Sequence, residues 1–344
     1  MPTPRPELLD LAPAIHGGAA APGVLDFSAG ISPLPPPAAV LSALRAADVT
    51  RYPHPTALPI RAAAARAHRH QPGEIVAGSG STELIWALAR AYCGPGRTAC
   101  VLTPAFGEYT QAVLAQGGRV IAAPAGASLC WDAISAVRTA RDSGASLVFA
   151  CRPSNPCLSA LTLDDVATIA AALPSALVVV DEAYLPLFDG LLPVSPGPNV
   201  AVLRSLTKLF ALPGLRLGYL LASAPVARAV QAALPPWTVS SPAQAAGVAA
   251  FECLEQAPTI RREIGVLRRV LVDSLQRSGA NVVAQGGTFV LCAVPRASDF
   301  CARLALRGAR VRDCTSFGLP DHVRVGVRPE AETLALARGW KEAS

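Results

Sequence analysis

Charge is scarce in this sequence: only 16% of its 344 residues are Asp, Glu, Lys or Arg, and lysine occurs twice, as Lys208 and Lys341. Aromatic residues make up just 5%. The net charge of +6 comes from scattered arginines with few aromatics between them, so an extended nucleic-acid surface is not expected and an anionic small molecule is the expected partner. The nine cysteines form no C-x-x-C pair and no zinc spacing, which leaves them as reduced core residues. His68 and His70 lie among arginines and alanines with no carboxylate or cysteine to complete a ligand set, so no metal is expected. No apolar run reaches the roughly 20 residues of a membrane span. Even Leu220 to Pro236 is broken by Arg228 and prolines. The stretch Met1-Pro2-Thr3-Pro4-Arg5-Pro6 lacks the apolar segment of a signal peptide, and a soluble, cytoplasmic protein is expected. No internal repeat is visible.

What is present is apolar bulk. At 51% hydrophobic residues the chain can bury a large core, and its length allows one large domain and a smaller one. The 32 prolines and 27 glycines fall between apolar segments as turns. Residues 1–45 read as a Pro/Gly-rich arm ending in a short helix, expected to pack on the small domain and the active site. Over 46–225 buried-strand runs alternate with Ala/Leu-rich helices: Val101-Leu102, Val120-Ile121-Ala122, Leu147 to Ala150, Leu177 to Val180 and Val200 to Leu203. That alternation predicts an α/β domain, a mostly parallel sheet sandwiched by helices. Over 226–344 helices near 226–233 and 242–278 precede strands at 281–283, 288–291 and 323–327, a smaller α+β domain with its boundary near Pro225.

Polar residues stand just beyond the carboxyl ends of the apolar runs, where open parallel sheets bind ligands. Gly78-Ser79-Gly80-Ser81-Thr82 leads into a helix whose free N–H groups suit a phosphate, though a plain helix-capping turn explains it as well. Asn155-Pro156 alone is a turn. Asp181 ends a valine run, where a carboxylate needs a partner or caps the next helix. Lys208 follows Ser205-Leu206-Thr207 among apolar neighbours, and Arg216 comes eight residues later. A lysine so placed can bond a carbonyl cofactor, and the arginine can grip a phosphate in bidentate fashion.

Taken together, Asn-Pro, Asp-Glu-Ala-Tyr and Ser-x-x-Lys followed by arginine resemble the fold-type I pyridoxal-phosphate (PLP) enzymes of aminotransferase class I/II, over nearly the whole chain. The resemblance implies that Lys208 bonds the cofactor and Asp181 pairs with its pyridine nitrogen. It also implies that Asn155 and Tyr184 bond the phenolic oxygen, and that Gly80, Ser81, Thr82, Ser205 and Arg216 bind the phosphate. Phe106 stands where these enzymes place an aromatic ring against the cofactor, although core packing is the ordinary role of a Phe. Arg51-Tyr52-Pro53 resembles a segment that crosses a dimer interface, so that Tyr52 reaches the phosphate of the neighbouring subunit in a homodimer.

Within the family, the resemblance is to the group holding histidinol-phosphate aminotransferases and threonine-phosphate decarboxylases. His16-Gly17-Gly18 followed by Asp26-Phe27-Ser28 is similar to the opening of the cobalamin-pathway decarboxylases, with Gly30 and Ser32 in place of asparagines. This implies decarboxylation of L-threonine phosphate to a phosphorylated aminopropanol, with Arg324 receiving the carboxylate and His16 and Arg312 as further substrate contacts. Transamination of histidinol phosphate is the alternative. A PLP-fold binding protein without turnover is a third reading. Arg328 is expected to be solvated.

Overall fold

The computed structural model describes residues 2–9, 11–18 and 20–344; Met1, Asp10 and Ala19 of the arm lie outside the described residues. Thirteen strands can be numbered along it: β1 (Leu25–Asp26), β2 (Ile75–Gly78), β3 (Thr98–Thr103), β4 (Arg119–Pro124), β5 (Ala145–Cys151), β6 (Leu177–Asp181), β7 (Val200–Ser205), β8 (Gly218–Leu221), β9 (Asn281–Gly286), β10 (Phe289–Ala293), β11 (Ala309–Arg310), β12 (Arg312–Asp313) and β13 (His322–Gly326).

Seven of them form the main sheet in the order β2-β8-β7-β6-β5-β3-β4. The five expected apolar runs are its strands β7, β6, β5, β3 and β4, with β4 at one edge. Only β8 runs against its neighbours, pairing antiparallel with both β2 and β7. β2 and β8 were not expected from the sequence, because each has only four residues and merges with a glycine motif. Alternation sends Leu147, Phe149, Leu177 and Val179 to one core and Val148, Ala150, Val178 and Val180 to the other, so both faces are buried under helices.

Register decides where the site can be. Cys151 pairs with Asp181, Ser205 with Gly218, and Gly218 with Gly78, which brings the carboxyl ends of β5, β6, β7 and β2 to one edge. The polar residues that follow these strands therefore converge.

Packing carries the layer over the main sheet past the boundary expected near Pro225. Val226, Ala227 and Val230 of the Ala224–Ala232 helix share a core with Leu147 and Leu177. Ala243, Ala246 and Ala250 of the Ser241–Glu252 helix share one with Ile60 and Val202. The single helix expected over 242–278 is two. A turn at Leu254–Gln256 separates Ser241–Glu252 from Ala257–Arg277, and Pro258 sits in the first turn of the second helix, where a proline is tolerated.

The smaller sheet is antiparallel, in the order β12-β13-β10-β9. Its core includes Leu271, Phe300 and Trp340, and Phe27 of the arm enters it. β1 adds a parallel pairing to β11. The arm is thus fastened to the small domain on its way to the sheet edge. Among the described residues no helix is long and apolar enough to cross a membrane.

Candidate active site

A cavity of about 730 Å³ lies between the sheet's carboxyl edge, the arm and the small sheet. Of the residues expected to form a site, only Tyr52 is not in its lining.

One end is built for an anion. The Gly80–Tyr92 helix starts at Gly80, whose φ of +84° is open to glycine and strained for other residues. A Cβ there would strike the guanidinium of Arg216, and a Cβ on Gly218 would strike the backbone of Ser81. These two close approaches set the free N–H groups of the helix start beside Arg216. Ser205 joins from the end of β7, its hydroxyl 2.8 Å from that of Thr207.

The centre is built around Asp181. Its carboxylate is buried and accepts from the Tyr109 hydroxyl at 2.8 Å and from the Ala183 N–H at 2.9 Å. Burial pushes its pKa up, while the Ala183 N–H, Tyr109 and the Lys208 charge oppose that rise. Lys208 enters the cavity with Nζ 5.1 Å from the centre of the Tyr184 ring. The residue just after β6, Glu182, points away from the cavity. There it is fully buried between Arg152 at 2.9 Å and Arg204 at 2.8 Å.

Tyr109 is the functional residue that sequence reasoning passed over. It lies three residues after Phe106, on the same helix start, and its ring stacks on Phe149 at 4.8 Å. The i, i+3 spacing of two aromatics was the available signal.

The far wall carries cations. Arg324 is buried, bonds Asn155 Oδ1 through Nη1 and donates from Nη2 to the Ser28 carbonyl at 2.6 Å. Its Nε is buried without a hydrogen-bond partner among the described residues. Arg312 donates from Nη2 to the Ile15 carbonyl and to Ser316 Oγ, both at 2.7 Å. From the arm, His16 stands 5.6 Å from the Phe106 ring and bonds Glu108 at 2.9 Å.

Tyr52 is elsewhere: it is 84% exposed and its ring lies 5.1 Å from that of Trp237. Within one chain it cannot join the others. Arg328, expected in solvent, is partly exposed and pairs at 3.0 Å with Glu332 where the Glu330–Ala343 helix starts.

A lysine, a buried carboxylate suited to a pyridinium and an anion cradle at the sheet's carboxyl edge fit pyridoxal phosphate, and this fold with this site defines a PLP-dependent enzyme. The chain belongs to the class I and II aminotransferases, whose family model matches residues 22–338. It is 35% identical over 91% of its length to the histidinol-phosphate aminotransferase of Symbiobacterium thermophilum, covering 88% of that protein. With that of Rhodospirillum centenum it shares 33% identity over 98% of both chains. The structure of the Sinorhizobium meliloti histidinol-phosphate aminotransferase in complex with pyridoxal phosphate superposes with a TM-score of 0.84, at 25% identity, over 92% of this chain and 89% of that one. A Thermus thermophilus aspartate aminotransferase variant shares the fold, with a TM-score of 0.86 at 21% identity over the full length of both chains.

Proposed function

We propose that the chain acts on a small phosphorylated amine and transfers its amino group, with histidinol phosphate the substrate that the names of its relatives support. The observation that carries this reading is a second cationic wall, Arg312 and Arg324, in the same cavity as Arg216 but on different elements. One anion site serves the cofactor. The other serves the substrate.

Bound in the cavity, pyridoxal phosphate supplies an electron sink for the carbon bearing the substrate's amine. Lys208 would carry the cofactor and move the proton at that carbon. Asp181, held by Tyr109 and Ala183, would pair with the pyridine nitrogen. Asn155 and Tyr184 would bond the phenolic oxygen, and Phe106 would pack against the ring. Gly80, Ser81, Thr82, Ser205 and Arg216 would hold the cofactor phosphate. Tyr52 adds to that phosphate site from the partner subunit of a homodimer, which accounts for a tyrosine so exposed in the single chain. His16, Arg312 and Arg324 take the substrate's anionic groups.

A second reading, decarboxylation of L-threonine phosphate, has an observation of its own. The His-Gly-Gly and Asp-Phe-Ser segments interlock: Gly18 N–H donates to Ser28 Oγ at 2.8 Å, and Ser28 Oγ donates to Asp26 at 2.6 Å. A Cβ on Gly17 would strike the Ser28 carbonyl. These motifs therefore act as one unit that presents His16. Threonine phosphate carries a carboxylate as well as a phosphate, which matches two arginines.

Purified protein supplied with histidinol phosphate and 2-oxoglutarate, or with threonine phosphate alone, separates the two. Glutamate formation supports amino transfer. Release of CO2 without glutamate replaces it with decarboxylation, and neither product from either substrate removes both readings.

A further inference from the structure

We propose that Glu108 is a positioning residue that acts through His16, fixing the arm across the cavity and setting the imidazole for the substrate's anionic group. The proposal rests on the reading above that the substrate carries a phosphate.

Glu108 is the second residue of the Gly107–Leu114 helix, where a carboxylate is favoured by the helix dipole. It is nevertheless buried, and burying a carboxylate costs free energy unless its oxygens are occupied. Both are. Oε2 accepts from the Trp86 indole at 2.7 Å, and Oε1 is 2.9 Å from His16 Nε2. Trp86 belongs to the Gly80–Tyr92 helix, the element that opens the phosphate cradle. The carboxylate is therefore braced by the large domain and offers one oxygen to a single visitor from the arm.

His16 is that visitor, and Glu108 commits its Nε2. This leaves Nδ1 for a ligand in a cavity that the ring lines. A carboxylate on one imidazole nitrogen fixes the ring's orientation, and an imidazolium held in this way has its other N–H free to donate to an anion. The neighbouring arm residue is tied down independently, since the Ile15 carbonyl accepts from Arg312 on β12. One short segment is thus pinned to the large domain by Glu108 and to the small sheet by Arg312. Its imidazole sits between the two pins.

The test compares Glu108→Ala, Glu108→Gln, His16→Ala and the Glu108→Ala/His16→Ala double variant, all as holoenzymes. Glu108→Ala is expected to raise KM for the phosphorylated substrate roughly 10- to 100-fold, the worth of a charge-assisted bond, with kcat changed far less. Glu108→Gln, which keeps the shape and the indole bond, should fall between it and wild type. In the His16→Ala background, Glu108→Ala should add nothing, because a residue acting through another shows no independent effect. Full additivity of the two losses, or loss of the cofactor's visible band in Glu108→Gln, would overturn the proposal. Hydrogen exchange of residues 12–18 needs no substrate and separates this idea from the functional reading. Faster exchange there in both single variants supports the strap even if neither tested phosphate compound is turned over. Unchanged exchange in Glu108→Ala refutes it whatever the substrate.

Discussion

Tyr109 donates its hydroxyl to Asp181 Oδ2 across 2.8 Å, joining a helix start and a strand end 72 residues apart in the chain. The bond sits under the cavity, and both groups respond to it. Burial, and then the Asp181 charge, push the Tyr109 pKa well up, so the phenol stays a donor. Burial pushes the Asp181 pKa up too, and the Ala183 N–H, Tyr109 and Lys208 hold it back.

Tyr109→Phe removes one of the groups that hold Asp181 ionised, so its carboxyl will take a proton at a higher pH than in wild type. A protonated Asp181 no longer suits a pyridinium. On acid titration, the variant should release pyridoxal phosphate at a higher pH, and at neutral pH its cofactor affinity should fall about 10-fold, the worth of one hydrogen bond to a charged group. The visible band followed against pH measures both. Identical release curves would show that the tyrosine only fills space.

His68 provides a pH test of stability away from the site. It hydrogen-bonds the Tyr219 hydroxyl at 2.8 Å, and burial, reinforced by Arg204 and His70, pushes its pKa from 6.5 down to about 4. The folded protein therefore keeps this ring neutral while the unfolded chain takes up a proton below 6.5. Stability from this group is complete above that value and is lost as the pH falls towards 4. By pH 5 the loss is about 2 kcal/mol. Urea unfolding at pH 7 and pH 5 should show a drop in wild type that is smaller by about this amount in His68→Gln.

Much of this architecture could be read in the chain, and the exceptions have physical causes. Asp181 stood out because it closes a buried valine run, where a carboxylate needs a partner, whereas Lys208, a loop lysine, was singled out only through the resemblance of the whole motif set. β8 was not legible, since nothing in four residues reveals the direction in which a strand runs. Gly30 is more instructive. The sequence presents it as a lost asparagine, a missing amide. In the fold, a Cβ at Gly30 would lie 3.0 Å from both the Tyr184 hydroxyl and Phe289, so any larger residue there needs those rings to give by a few tenths of an ångström. Ser32 is likewise occupied, its N–H donating to the Lys208 carbonyl at 2.9 Å. Tertiary proximity of this kind, across more than a hundred residues, has no local pattern.

The exposed Tyr52 yields a prediction about assembly. Lys208→Ala should lose the visible absorbance of the bound cofactor, because the only other lysine, Lys341, lies in the Glu330–Ala343 helix outside the cavity lining. Tyr52→Ala should be impaired through the partner's site. Mixed after co-refolding, the two inactive proteins should regain about a quarter of wild-type activity, since half of randomly formed dimers are mixed and each has one complete site. Full activity in a species that sediments as a monomer would rule out the shared site.

Arg324 decides between the two chemistries, because histidinol phosphate carries one anionic group and threonine phosphate two. Its guanidinium is buried, bonds Asn155 and the Ser28 carbonyl and lies 5.0 Å from the centre of the Phe289 ring, so the side chain is fixed before any ligand arrives. Removing a charge-assisted bond to a buried anion costs roughly 2–5 kcal/mol. Arg324→Ala should therefore lower kcat/KM by at least about 30-fold, while the visible band keeps its intensity, since Arg216 rather than Arg324 is the ligand proposed for the cofactor phosphate. Arg324→Lys should recover little, because a point charge cannot replace a planar fork held by Asn155 and Ser28. If the enzyme decarboxylates threonine phosphate, Arg312→Ala and Arg324→Ala should each abolish CO2 release, one through each anion. If it transfers the amino group of histidinol phosphate, one of these variants should spare the half-reaction with that substrate and impair only the half-reaction with the dicarboxylate 2-oxoglutarate. Single-turnover spectra of each half-reaction distinguish the two patterns, and equal impairment of every step by both variants would mean that the arginines shape the cavity rather than divide its ligands.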